Sequence, residues 1–228
     1  MQPEIQYGSS SGALTLAQNK VLRNTYLLLA LTMVPTVIGA FIGISTAGII
    51  MQHPIIATLL MLGGVIGLQY AIAANRNSGL GVVLLLGMTF LLGWWLGPLL
   101  NYALKLQNGP QLIGIAAVGT GGILLAMSLI ATTTKRDFSF MGKFLFVGMV
   151  VLLLAMLANM FFQIPALALT ISALVVVVFS LFLLHDVSRI VTGGETNYIM
   201  AATGVYISLY NIFANLLSLL MALTGQRD

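Results

Sequence analysis

Seven stretches of the chain, each about 20 residues or longer, contain no Asp, Glu, Lys or Arg. That property decides what fold is open to the chain. A helix needs about 20 apolar residues, at ~1.5 Å each, to cross a hydrocarbon core of ~30 Å. The qualifying stretches are Tyr26–Ile50, Ile55–Ala74, Leu80–Leu104, Leu112–Ala131, Phe144–Phe162, Pro165–Leu184 and Tyr198–Leu223. Only 6% of the residues are charged, against about 25% in a soluble domain. With 59% hydrophobic residues there is too little polar surface for water to be the solvent of the folded chain. The runs are continuously apolar and lack period-two alternation, which excludes a β-barrel. The expected fold is an all-α integral membrane bundle of seven transmembrane helices.

The connectors carry the residues that end helices. They are His53-Pro54, Asn75 to Gly79, Asn108-Gly109-Pro110, Thr132 to Asp137, Gln163-Ile164-Pro165 and Gly193-Gly194. The fifth is the shortest and predicts a tight antiparallel hairpin between the fifth and sixth spans.

Basic residues are sorted between these connectors. Lys20 and Arg23 precede the first span, Arg76 follows the second, Lys135, Arg136 and Lys143 flank the fourth-to-fifth connector, and Arg189 follows the sixth. An odd number of spans puts all of them on one side, with only Lys105 and Arg227 on the other. The positive-inside rule then predicts a cytoplasmic N-terminus and a periplasmic C-terminus in a bacterial inner membrane. Residues 1–22 are polar and lack the apolar core of a signal peptide. They are expected to form a flexible cytoplasmic tail ahead of a membrane domain over 23–225, with Met1 to Asn19 as a candidate handle for a partner.

Small residues recur four apart at Gly39, Gly43 and Ala47, at Gly63 and Gly67, and at Gly93 and Gly97. Such spacing lets helix backbones approach closely in lipid, either within the chain or in a homo-oligomer. Trp94-Trp95 fits either an interfacial position or the bundle interior.

An ionisable residue at membrane depth is costly and therefore a functional candidate. Asp186 is the leading one, with His185 before it and Arg189 three residues on. Gly193 is a good C-cap, so the sixth helix is expected to continue to Thr192 and to set Asp186 about two turns inside its end. Asp186 and Arg189 would then face one another at i, i+3, as a local salt bridge or as the gate of a polar path. In the seventh span Gly204, Ser208, Asn211, Asn215 and Ser218 step by 4, 3, 4 and 3, so they share a face. That stripe fits hydrogen bonding to neighbouring helices or the wall of a hydrated pathway. Asn159, Gln163 and Gln69 are further polar candidates.

Other chemistries find no residues. The chain has no cysteine, and His53 and His185 lack metal-ligand spacing. No phosphate-binding loop, Gly-x-Ser-x-Gly motif or second intramembrane carboxylate accompanies them. The basic residues are too scattered to track a nucleic acid. No enzyme and no cofactor is expected.

Three runs carry a resemblance: His185-Asp186-Val187-Ser188-Arg189-Ile190, Gly193-Gly194-Glu195-Thr196-Asn197-Tyr198, and Tyr206-Ile207-Ser208-Leu209-Tyr210-Asn211-Ile212-Phe213. Together they resemble the C-terminal signature of the Bax inhibitor-1 family. The Gly-Gly-Glu-Thr-Asn-Tyr run and Lys20 to Tyr26 are similar to its proteobacterial YccA-like branch. The resemblance covers Lys20 to about Leu220. It implies seven helices, six of them around a central C-terminal one. It also implies two activities. Members of the YccA branch restrain FtsH, a membrane-anchored, ATP-driven (AAA+) quality-control protease. Other members of the family are pH-sensitive calcium leaks gated by two aspartates. Asp186 corresponds to the first of these, and Ser208 stands where the second is expected. One carboxylate with serine and asparagine oxygens is a weak site for Ca2+, which prefers several oxygen ligands. The leading expectation is a regulator of the protease, and the alternative is a calcium or cation leak gated at Asp186.

Overall fold

The computed structural model describes residues 8–134 and 136–224, and their regular elements are all α-helices. In chain order they are α1 (Gly8–Ser45), α2 (Ala47–Gln52), α3 (Pro54–Ala74), α4 (Gly79–Trp95), α5 (Gly97–Leu104), α6 (Gly109–Thr134), α7 (Met141–Phe162), α8 (Pro165–Thr192) and α9 (Tyr198–Thr224). Seven helical segments are long and apolar enough to cross a membrane, and each corresponds to one of the seven expected spans.

Two spans are broken where the apolar pattern runs on. The first ends at Ser45, and the short α2 follows after Thr46. The Thr46 hydroxyl donates to Ile42 O at 2.8 Å and accepts the indole N–H of Trp94 at 2.8 Å. Trp94 thus ties α4 to this bend. The third span breaks at Leu96, with Pro98 in the first turn of α5, where its missing N–H costs nothing. Hydropathy alone does not register either break.

The first helix also begins earlier than expected. The part of the expected flexible tail from Gly8 to Leu22 is helical, whereas residues 1–7 lie outside the described residues. Once a long span has met the cost of nucleation, good helix formers such as Ala13, Leu14, Leu16, Ala17 and Gln18 add turns cheaply. At 38 residues α1 is roughly 57 Å long, well beyond a ~30 Å hydrocarbon core.

The expected hairpin between α7 and α8 is present. Gln163 adopts the left-handed conformation, φ 50°, and its N–H bonds to Asn159 O at 2.8 Å. The Asn159 side chain accepts the N–H of Ile164 at 3.0 Å, and Pro165 opens α8. Asn159 and Gln163 therefore build a turn.

Helix α9 packs against α1, α3, α4, α5, α6 and α8, while α7 packs on α8. Buried Ile199, Ala202, Val205, Tyr206 and Ile212 make the N-terminal half of α9 the axis of the bundle. The Tyr206 hydroxyl lies 2.7 Å from Thr36 Oγ1 and donates to Thr89 O at 3.3 Å, joining α9 to α1 and α4. Tyr26 and Ser128 join α1 to α6 at 2.7 Å.

The small residues of α1 and of α4–α5 face each other. A Cβ at Gly39 would collide with Phe90 O, one at Gly43 with Trp94 O, one at Gly93 with Thr36 O, and one at Gly97 with the backbone of Gly43. These glycines serve packing within the chain. By contrast, nothing lies within 4 Å of a Cβ built on Gly63 or Gly67.

Loops from distant parts of the chain meet at one end of the bundle. Asn197 Nδ2 donates to Arg76 O at 2.8 Å and to Asn77 Oδ1 at 2.9 Å. The Ser188 hydroxyl donates to Arg136 O at 2.8 Å and accepts the N–H of Phe138 at 3.1 Å. At the opposite end Asn108 Nδ2 donates to Thr224 O at 2.7 Å.

Candidate functional site

Helix α8 ends where Gly193 takes the left-handed conformation, φ 83°, as its lack of Cβ permits. Asp186 therefore stands six residues before Thr192, within the last two turns. Successive helical residues point to different faces, so His185 and Asp186 diverge towards different neighbours. The imidazole turns towards α7, where a Cβ on Gly142 would lie 2.8 Å from its Nε2. The carboxylate turns towards α9, where a Cβ on Gly204 would lie 2.7 Å from Oδ2. His185 Nδ1 still reaches Asp186 Oδ1 at 3.0 Å, and a protonated Nδ1 donates that hydrogen bond. Phe182 lies edge-on to the imidazole, 6.5 Å between ring centres.

The expected pairing of Asp186 with Arg189 does not form. Arg189 reaches past the helix end instead, 3.6 Å from Glu195 Oε2 and 3.2 Å from Gly194 O. The cause is the turn after Gly193, which brings the Glu195 N–H to Arg189 O at 2.9 Å and folds Glu195 back over α8. Glu195 also accepts the N–H of Asn197 at 2.9 Å, and Asn197 caps α9 by accepting the N–H groups of Ile199 and Met200. Asp186, Arg189, Glu195, Met200, Ala201 and Gly204 line a cavity of about 40 Å³. That is space for a few waters at most. It brings together a second carboxylate, Glu195, which helical spacing gave no reason to place beside Asp186. The sequence signal for it was the Gly193-Gly194 turn, which sends the chain back over the helix it ends.

The residue of α9 set against Asp186 is Gly204, one turn before Ser208. Ser208 is buried farther along α9. The rest of the stripe bonds to its own helix rather than to neighbours. Asn211 Nδ2 donates to Ile207 O at 2.8 Å, Asn215 Nδ2 to Asn211 O at 2.9 Å, and Ser218 Oγ to Ala214 O at 2.9 Å. Gln69 is half-buried on α3 and does not line the cavity. Among the described residues, no three His, Asp or Glu side chains converge as a metal site. Beyond the end of α6, the Ser139 hydroxyl and amide hold the exposed Asp137 carboxyl below the usual carboxylate range.

A family model described as inhibitor of apoptosis-promoting Bax1 matches residues 18–226. The chain is 42% identical over 205 residues to an Escherichia coli K12 protein named modulator of FtsH protease YccA, covering 90% of this chain and 91% of that one. It is 41% identical over 216 residues to an uncharacterised protein of Neisseria meningitidis, covering 93% and 95%. An uncharacterised membrane protein of Vibrio cholerae is also 41% identical over 216 residues, covering 93% of each chain.

Proposed function

The chain belongs to the Bax inhibitor-1 family, and from that membership we propose that it modulates a membrane-anchored ATP-dependent protease of the FtsH kind. One observation carries the proposal. The relationship to the E. coli protein named as modulator of that protease runs almost end to end at 42% identity. The proposal places the chain in a bacterial inner membrane, non-enzymatic, with its N-terminus and basic loops in the cytoplasm.

Two structural features support a binding role over a conducting one. Helix α1 carries exposed Leu16, Asn19, Lys20 and Arg23 at the end of the bundle where the basic loops gather. The cavity at Asp186 is small, and Asn211, Asn215 and Ser218 each donate a hydrogen bond to a carbonyl of α9 itself.

The test is co-purification of the protease with the full chain and with a chain lacking residues 1–19, together with the rate at which the protease degrades a membrane substrate. The truncation is expected to weaken association and to release the protease. Identical association and turnover would remove the N-terminal segment as a handle, and a protease indifferent to the whole chain would sink the proposal. A calcium-dye flux assay in liposomes with Asp186→Asn separates this reading from a leak. Flux that depends on Asp186 would favour the leak.

A further inference from the structure

We propose that the α6–α7 loop and the start of α7 form a docking surface for anionic phospholipid headgroups. Phe140, the residue that caps the start of α7, and Phe144, in its first turn, are each 78% exposed and lie i, i+4. Exposed Arg136 precedes them, and exposed Lys143 lies between them in the same short stretch. Aromatic rings beside cationic heads, at the mouth of a span, match the boundary between acyl chains and headgroup phosphates.

The surface is held in shape from behind. Ser188, buried on α8, grips the loop through Arg136 O and Phe138 N, and half-buried Phe138 packs on the core. Asp137 opposes the basic residues, but its carboxylate is turned onto the Ser139 amide at 2.8 Å. Helix α7 packs on α8, and its opposite face, with Phe146, Val147, Val151 and Leu154 exposed, is left to lipid. Charge complementarity selects an anionic headgroup over a zwitterionic one.

The experiment compares the full chain in vesicles of phosphatidylcholine alone with vesicles containing phosphatidylglycerol. Headgroup retention is read by native mass spectrometry, and hydrogen exchange is read over 136–147. Phosphatidylglycerol is expected to be retained and to slow exchange across the loop. Retention should fall about fivefold for each of Arg136→Gln and Lys143→Gln, the scale of one basic residue near an anionic surface. Phe140→Ser should weaken retention without changing charge. Arg76→Gln removes a basic residue from a different loop at the same end of the bundle, the one between α3 and α4, and should leave retention unchanged. Equal retention of both lipids, or equal loss in Arg76→Gln, would overturn the proposal by reducing it to general surface charge.

Discussion

At Gly204, α9 lacks a side chain just where the Asp186 carboxylate needs room, and the two residues were legible in the sequence to different degrees. Asp186 stood out because an acidic residue near membrane depth is rare. Gly204 stood out only as a member of a periodic stripe, and a missing side chain says nothing about what fills its place. The partner of Arg189 was not legible either. Helical spacing favours Asp186, but the chain reverses at Gly193 and delivers Glu195. Gly204→Ala sets a Cβ 2.7 Å from Asp186 Oδ2, which should destabilise the bundle by about 1–3 kcal/mol through overpacking. Asp186→Ala removes the atoms in the way, so adding it to Gly204→Ala should recover most of that loss. Detergent unfolding of the four proteins in this cycle measures the coupling, expected at about 1 kcal/mol or more. Additive losses would show that the two residues do not share space.

The spacing of small residues was plain at the level of elements, but their use was not. Three sets looked alike in sequence. Two of them close α1 onto α4 and α5, backbone against backbone, while Gly63 and Gly67 on α3 meet nothing. The difference arises from register between helices distant in sequence, which no local pattern contains. The break between α4 and α5, with Pro98 in the first turn of α5, was not read from the sequence, because hydrophobicity continues through it. Gly93→Val should therefore be severe, because Thr36 backbone atoms have no rotamer by which to yield. Gly63→Val and Gly67→Val should be tolerated within about 1 kcal/mol, since valine costs little in an exposed helix position. Thermal unfolding and folded yield after extraction check this, and comparable damage on α3 and α4 would place an unseen neighbour against α3.

For the whole molecule, charge and span length carried most of the information. Lipid forces helices to satisfy their backbone internally, so seven long uncharged runs leave few architectures open. Span ends were less legible, since amide and hydroxyl side chains such as Asn108, Asn159 and Ser188 set the turns. The loops carrying Arg76, Arg136 and Arg189 come together at one end through Asn197 and Ser188. The turn after α5, with Lys105, shares the other end with Thr224. That arrangement fixes which loops are together, and the excess of Lys and Arg predicts which compartment they face. The chain has no cysteine, so single cysteines can be introduced without background. Cysteines replacing Asn77 and Ser139 should resist a membrane-impermeant maleimide in intact cells and react after the inner membrane is opened. One replacing Lys105 should react from outside once the outer membrane is permeable. If positions 77 and 139 label from outside and 105 does not, the orientation is inverted, and a cytoplasmic protease could not reach α1 from the side proposed.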